Sequence, residues 1–196
     1  MERFLFVRPT GKAMNEKLGA WVATELNHDL TAKIEEYGGR AMSLNFLSTN
    51  VLFGERLNLK GPDGEPLDLG HVGEVTRVDR LTIDNLSYAG QVPVIPSMAI
   101  TASGEKLNVN ADTAATAVAA AIGAEKLVVL SDIPGVLRDV NDPESLIHSL
   151  TATEARRLIN DGTISSGMIP KIEGCLTTLE QGVKKIHIID GRLRHS

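Results

Sequence analysis

The chain has 196 residues, 42% apolar and 23% charged, with a formal net charge of −5. That length buries a real core, and that balance belongs to an ordinary soluble globular domain, not to a disordered or membrane-embedded chain. No basic block marks a nucleic-acid binder, and the single cysteine, Cys175, excludes an intrachain disulfide and fits a reducing compartment.

The apolar patch of residues 4–7 (FLFV) is far too short for a secretory h-region or a membrane span, so a cytoplasmic protein is expected. Residues 10–37 carry helical spacing in two pieces, Met14, Leu18, Trp21 and Val22, then Leu26, Leu30 and Ile34, stopped by Gly38-Gly39. Residues 40–44 read as a short strand and 45–70, with Gly61-Pro62 and Asp63-Gly64, as hairpin and loop. Residues 71–78 alternate like a strand. Asp79 can cap a helix running to Tyr88, which Gly90 ends. Residues 92–95 form another strand, and Pro93 puts it at a beginning or an edge.

The small-residue run from Asp112 to Ile122 reads as a helix closed by Gly123, and residues 126–131 (KLVVLS) as a buried parallel strand. Residues 138–147 are a loop with weak hairpin character. Thr151 and Glu154 form a capping box for a helix ending at Asp161-Gly162. A further helix holds Pro170 in its first turn and closes at Gly182; residues 185–190 make the last strand. Strands alternating with helices predict a mainly parallel sheet covered on both faces, without repeats or linkers.

Two places can do chemistry. Asn108, Asn110 and Asp112 crowd a helix start, where free N–H groups favour acceptors and negative charge. The turn beginning Asp132-Ile133-Pro134-Gly135 lies at a strand's carboxyl end, where ligands of open α/β sheets sit. Together they suit a phosphorylated or carboxylate ligand, although helix caps and a proline–glycine turn are also ordinary punctuation. There is no GxxxxGK[ST] loop, GxGxxG fingerprint, GxSxG elbow or metal-spaced His/Cys cluster. His28, His71, His148, His187 and His195 are scattered and read as structural or solvated.

Five ordered segments carry a resemblance: DLGHVGEV (68–75), NVNADTAA (108–115), LSDIPGV (130–136), SGMIPK (166–171) and IHIIDGR (186–192). Their wording resembles the acetylglutamate kinase family. That resemblance implies the amino acid kinase fold, a three-layer αβα sandwich around a mainly parallel sheet. Residues 1–196 would form one such domain, with 1–100 the remainder of the substrate-binding lobe and 101–196 the nucleotide-binding lobe. It implies transfer of phosphate from MgATP to the side-chain carboxylate of N-acetyl-L-glutamate, in arginine biosynthesis. The magnesium would be carried by the nucleotide, without a protein ligand cluster.

Residue by residue, the resemblance makes Lys171 the transition-state lysine and Asp112 the aspartate that holds catalytic lysines. A lysine in a helix's first turn opposes the helix dipole, a placement that favours function over chance. Arg8 matches the substrate's α-carboxylate grip and Asn108 the acetylamino acid contact. Asp132, Ile133, Pro134, Gly135, Val136 and Leu137 match the nucleotide turn, with Thr163, Ile164 and Ser165 a second nucleotide contact. A homodimer or higher homo-oligomer is implied, with Trp21 its candidate anchor.

The family's Lys-x-Gly-Gly turn and Gly-Gly-Gly loop have no match; Gly38-Gly39 follows a helix instead, and residues 45–52 replace a charged, glycine-rich family segment. The expected chain is therefore incomplete on its N-terminal side and lacks the family's C-terminal segment, leaving an open sheet edge. Two further readings follow: a noncatalytic relative that binds nucleotide or a partner, and another carboxylate or carbamate kinase of the same fold.

Overall fold

The computed structural model describes residues 5–7, 16–60, 63–67, 69–139, 141–164 and 167–193. Arg8, Ser165 and the Trp21 side chain lie outside them. The chain divides into two compact units, Met1–Ile122 and Gly123–Ser196.

The first unit runs β1 (Leu5–Val7), α1 (Glu16–Glu36), β2 (Ala41–Ser43), β3 (Leu52–Arg56), β4 (Leu59–Lys60), β5 (Pro66–Leu67) and β6 (Val72–Val78). It continues with α2 (Arg80–Tyr88), β7 (Val92–Pro96), β8 (Met98–Ile100), β9 (Lys106–Val109) and α3 (Ala111–Ile122). The second unit holds β10 (Lys126–Ser131), a single 3₁₀ turn (Pro143–Ser145), α4 (Ala152–Asn160), α5 (Ile169–Glu180) and β11 (Lys185–Asp190). Five of the eight strand pairings are parallel, so the α/β class and its mainly parallel sheets are as expected.

In the first unit β7 lies between β1 and β2, parallel to both. Its Val94 and Ile95 are fully buried, with Leu44 just beyond β2. Pro93 is the second residue of this central strand, so of the two expected places it marks the beginning and not an edge. The register explains its tolerance. Val92 donates to the Arg40 carbonyl and Leu44 donates to Val94, so these positions serve β2. Among the described residues the pairing with β1 runs from Leu5 opposite Val94. Position 93 falls between Val92 and Val94, so its missing N–H takes no bond from the β2–β7 ladder.

α1 is one helix of 21 residues, not two pieces, and it packs on β2 and β7. No glycine or proline interrupts residues 20–36, and Val22, Leu26, Leu30 and Ile34 repeat every fourth position through the expected break. Its buried face is polar: Leu26 is 38% exposed, whereas Asn27 is fully buried and Thr31 nearly so. Asn27 Nδ2 donates to the Val94 carbonyl at 2.7 Å, and its Oδ1 accepts from the Ser43 hydroxyl. Asn45 Nδ2 reaches Ser43 Oγ at 2.8 Å, and Thr31 donates to the Asn27 carbonyl at 2.8 Å. A buried network of this kind is tolerated because its members satisfy one another. Asn27→Asp, which keeps the shape but points a carboxylate at the Val94 carbonyl, is expected to cost about 2–3 kcal/mol, measured by urea unfolding.

Residues 45–70 do more than loop. β3 joins β6, β9 and β8 in a closed four-stranded barrel, while β4 and β5 make the expected small hairpin. The ring is mixed: β3–β6 and β8–β9 are antiparallel, β6–β9 and β3–β8 parallel. A small ring leaves little interior, and glycine makes the tightest approaches: a Cβ on Gly73 would stand 2.6 Å from the Glu55 carbonyl oxygen and 2.5 Å from Leu107 Cδ1. Leu107 itself is fully buried. Asp79 caps α2 as expected, accepting from the Thr82 backbone at 3.2 Å.

In the second unit β10 and β11 pair in parallel over six positions, from Lys126 opposite Lys185 to Ser131 opposite Asp190. The expected capping box is present, with Glu154 N donating to Thr151 Oγ1 at 3.2 Å and Thr151 N donating to Glu154 at 2.8 Å. Those bonds hold the Glu154 carboxyl below its usual range. Val136, Ala155, Leu158, Ile164, Met168, Ile172 and Leu176 form this unit's apolar core. Among the described residues no helix is long and apolar enough to cross a membrane.

Candidate functional site

The candidate residues fall in both units. In the first, Asn108 lies on β9, opposite Val72 of β6 and Met98 of β8, and is half-buried; its backbone N–H donates to the His71 carbonyl at 2.8 Å. Two residues on, Asn110 turns the chain into α3. Its Oδ1 accepts from the backbone N–H groups of Asp112 (2.9 Å) and Thr113 (3.1 Å), satisfying two of the helix's orphan donors. Asp112, in the first turn, is exposed, and negative charge there is favoured by the helix dipole. The strand-to-helix step thus sets an amide and a carboxylate four positions apart.

In the second unit β10 ends at Ser131 and the chain turns through residues 132–137. Gly135 sits at φ +138°, a conformation L side chains rarely adopt, and a Cβ there would also press on Leu146 Cδ1 at 3.0 Å. Val136 is buried in the core, its carbonyl accepting from Ile147 N at 2.8 Å, and Leu137 bridges to Leu146. This is the weak hairpin character expected of 138–147, and it pins the turn from behind.

The second predicted contact comes from the end of α4. Thr163 is held by Asp161, whose Oδ1 accepts from the threonine backbone at 3.1 Å and its hydroxyl at 2.6 Å; these bonds keep the Asp161 carboxyl below its usual range. Ile164, 3% exposed, then drops into the core. Ile133, Pro134, Gly135, Val136, Leu137, Thr163 and Ile164, with Met168, line one cavity of about 110 Å³. Seven of the nine residues predicted to hold a nucleotide therefore share one small, largely apolar slot. Asp132 stands outside that lining, exposed at its entrance turn.

Lys171 is in the first turn of α5, after Pro170, as expected. Among the described residues no side chain caps this helix start. The lysine is half-buried and donates from Nζ to Ser131 Oγ at 2.9 Å, which ties the helix start to the strand end. Ser131 Oγ in turn donates to Asp132 Oδ1 at 3.4 Å. Ammonium, hydroxyl and carboxylate thus run in sequence along the carboxyl end of β10.

Sequence reasoning did not assign Ser131, Asp190 or Arg192 to the site. Asp190, the last residue of β11, is opposite Ser131 and 5% exposed. It accepts Arg192 Nε at 2.9 Å and Nη2 at 2.7 Å, a bidentate pair, and Arg192 N at 3.0 Å. The guanidinium and that backbone bond hold the Asp190 carboxyl down at about 2, so it is ionised throughout the neutral range. Arg192 is raised by the same pair and by the charge of Asp132. The readable signal was Asp-Gly-Arg closing a strand: a carboxylate with an arginine two residues on, across a glycine.

Among the described residues no three His, Cys, Asp or Glu side chains gather in a way that could hold a metal ion.

The model of the amino acid kinase family matches residues 9–190. The acetylglutamate kinase of Methanosphaera stadtmanae is 40% identical over 195 residues, covering 97% of this chain and 65% of that protein. That of Thermosynechococcus vestitus is 42% identical over 190 residues, covering 97% of this chain and 62% of that protein. The chain thus spans a little under two thirds of the length of these curated relatives. Among solved structures, smu.665 from Streptococcus mutans UA159 superposes with a TM-score of 0.73 at 26% identity, over 93% of this chain and 74% of that one.

Proposed function

The chain belongs to the amino acid kinase family, and we propose that it carries the nucleotide- and substrate-binding framework of an acetylglutamate kinase. The reaction is transfer of the terminal phosphoryl of ATP to the side-chain carboxylate of N-acetyl-L-glutamate, giving an acyl phosphate for arginine biosynthesis in the cytoplasm. The observation that carries this reading is the slot of about 110 Å³ that collects the predicted nucleotide residues from two separate stretches of sequence.

In this reading the slot takes the nucleobase against Pro134, Val136, Ile164 and Met168. Phosphoryl transfer between two oxyanions needs charge neutralisation and alignment more than covalent help from the protein. Lys171 supplies the positive charge where negative charge spreads over the transferring group. The Ser131 hydroxyl holds it near that position beforehand, so little reorganisation is left for the reaction. Asn108 offers an amide to the acetylamino group, and Arg8 a guanidinium fork to the α-carboxylate. Asp112 is the anion that orients cationic groups on the substrate side. In the same reading magnesium is carried by the nucleotide's phosphates. Assembly as a homodimer or larger homo-oligomer belongs to the same reading.

The test is an acyl-phosphate assay with N-acetyl-L-glutamate and MgATP, run beside calorimetric titration of ATP. Turnover on N-acetyl-L-glutamate, absent with acetate or carbamate, is the expected result. ATP binding without turnover on any of these would reduce the proposal to a nucleotide-binding relative. No ATP binding would remove it.

A further inference from the structure

We infer that Arg192 is a phosphate-contacting cation on the nucleotide side of this site, set in place by Asp190. The inference rests on the nucleotide reading above and extends it to residues that reading does not use.

Position is the first support. β10 and β11 are parallel and in register to their ends, so Ser131 and Asp190 finish side by side; Gly191 N donates to the Ser131 carbonyl at 2.8 Å, carrying that register one residue further. Arg192 therefore follows β11 at the same edge where Asp132 follows β10. Lys171 reaches that edge from α5 and ends on Ser131. Two cations from different elements thus serve one short stretch of sheet edge, the end at which ligands of parallel sheets bind.

Donor arithmetic is the second. A guanidinium has five N–H donors in a fixed fork. Asp190 takes two of them, from Nε and Nη2, leaving three on a head whose side chain is 66% exposed. A free surface arginine would spread over many rotamers; this one has its fork plane fixed by a nearly buried carboxylate. Anchoring one edge and leaving the other open is how an arginine is prepared to receive a second, oxygen-rich anion. The bland alternative is that the pair only closes the strand end, because Arg192 N also bonds to Asp190. That alternative gives no reason for any dependence on a ligand's phosphate count.

The charges fit as well. Asp132 and Asp190 stand at the same strand ends that Lys171 and Arg192 serve, so the bare edge is balanced. A polyphosphate arriving there finds Lys171 held by a neutral hydroxyl, free to transfer, and Arg192 with spare donors.

The experiment is calorimetric titration of the intact chain and its Arg192→Ala, Arg192→Lys and Asp190→Asn variants with adenosine, ADP and ATP. Circular dichroism and thermal melting establish that each variant is folded. The expected result is a loss of about tenfold or more for ATP and ADP in Arg192→Ala, with adenosine unchanged. Arg192→Lys should recover only part of it, because an ammonium cannot hold Asp190 and a phosphate in one plane. Asp190→Asn, which frees the fork without removing its charge, should fall between. Wild-type affinity for ATP in Arg192→Ala overturns the inference, and so does an equal loss for adenosine and ATP, which would mark a structural pair. A wild-type chain that binds none of the three removes the nucleotide reading itself, and the inference falls with it.

Discussion

Gly54→Val is expected to unfold the barrel, costing about 3 kcal/mol or more out of a domain stability of roughly 5–15 kcal/mol. A Cβ at Gly54 would overlap the Glu74 carbonyl oxygen across the β3–β6 ladder and stand 3.1 Å from Ala99 Cβ. The first neighbour is backbone, so no rotamer change relieves it. The register already shifts between Phe53 and Gly54, which leaves little freedom to open the ladder there. Urea unfolding followed by circular dichroism measures the effect, and an unchanged midpoint would refute it. Gly174→Ala is the internal comparison. That glycine lies in α5 with nothing within 4 Å of its would-be Cβ, so alanine should stabilise by about 0.5–1 kcal/mol through helix propensity alone. Two glycine substitutions in one chain are thus expected to move stability in opposite directions.

Lys171→Ala is expected to lower turnover by about 10²–10³-fold under the proposed reaction, with a much smaller change in KM for N-acetyl-L-glutamate. A cation that faces charge developing on the transferring phosphoryl is worth more in the transition state than in the bound ground state. The lysine's present contact, Ser131 Oγ at 2.9 Å, is to a neutral hydroxyl, so removing the ammonium leaves no buried charge unpaired and folding should survive. Lys171→Arg is the informative companion. It keeps the charge but exchanges a compact ammonium for a wide fork, which does not fit a half-buried place beside Ser131. Steady-state acyl-phosphate formation reads both variants. If Lys171→Ala turns over like wild type, the lysine has no part in the chemistry.

Local chemistry made much of the fold legible. Asp79 before α2 and the Thr151/Glu154 box before α4 are short-range devices, and each is found with the partners its spacing required. The lining of the small cavity was legible through wording, although its two halves are separated in sequence. The missing parts depend on distant partners. Asn27 carries no signal of its own in the sequence; only the Val94 carbonyl, far along the chain, gives it a reason to be inside. Pro93 reads as a beginning or an edge, and only the register with β2 shows it at the beginning of a central strand, where that ladder does not use its N–H. Residues 52–56 read only as part of a hairpin-and-loop stretch, because a ring closed by two parallel joints leaves no periodic mark on so short a strand. Ser131 was invisible for a related reason: a serine ending a strand means nothing until a lysine from another helix stops on it.

The barrel also sets an order of events. Its antiparallel pairs are the closer in sequence, β8 directly before β9 and β3 separated from β6 only by β4 and β5, and can form early. The parallel joints, Phe53 with Ile100 and Val72 with Asn108, close longer loops. Such contacts are entropically expensive to begin and come late, during folding and during synthesis alike. Asn108 lies on one of those late joints. The amide to which the proposed function assigns the substrate is therefore among the last groups to reach its station, and the ring cannot close without delivering it.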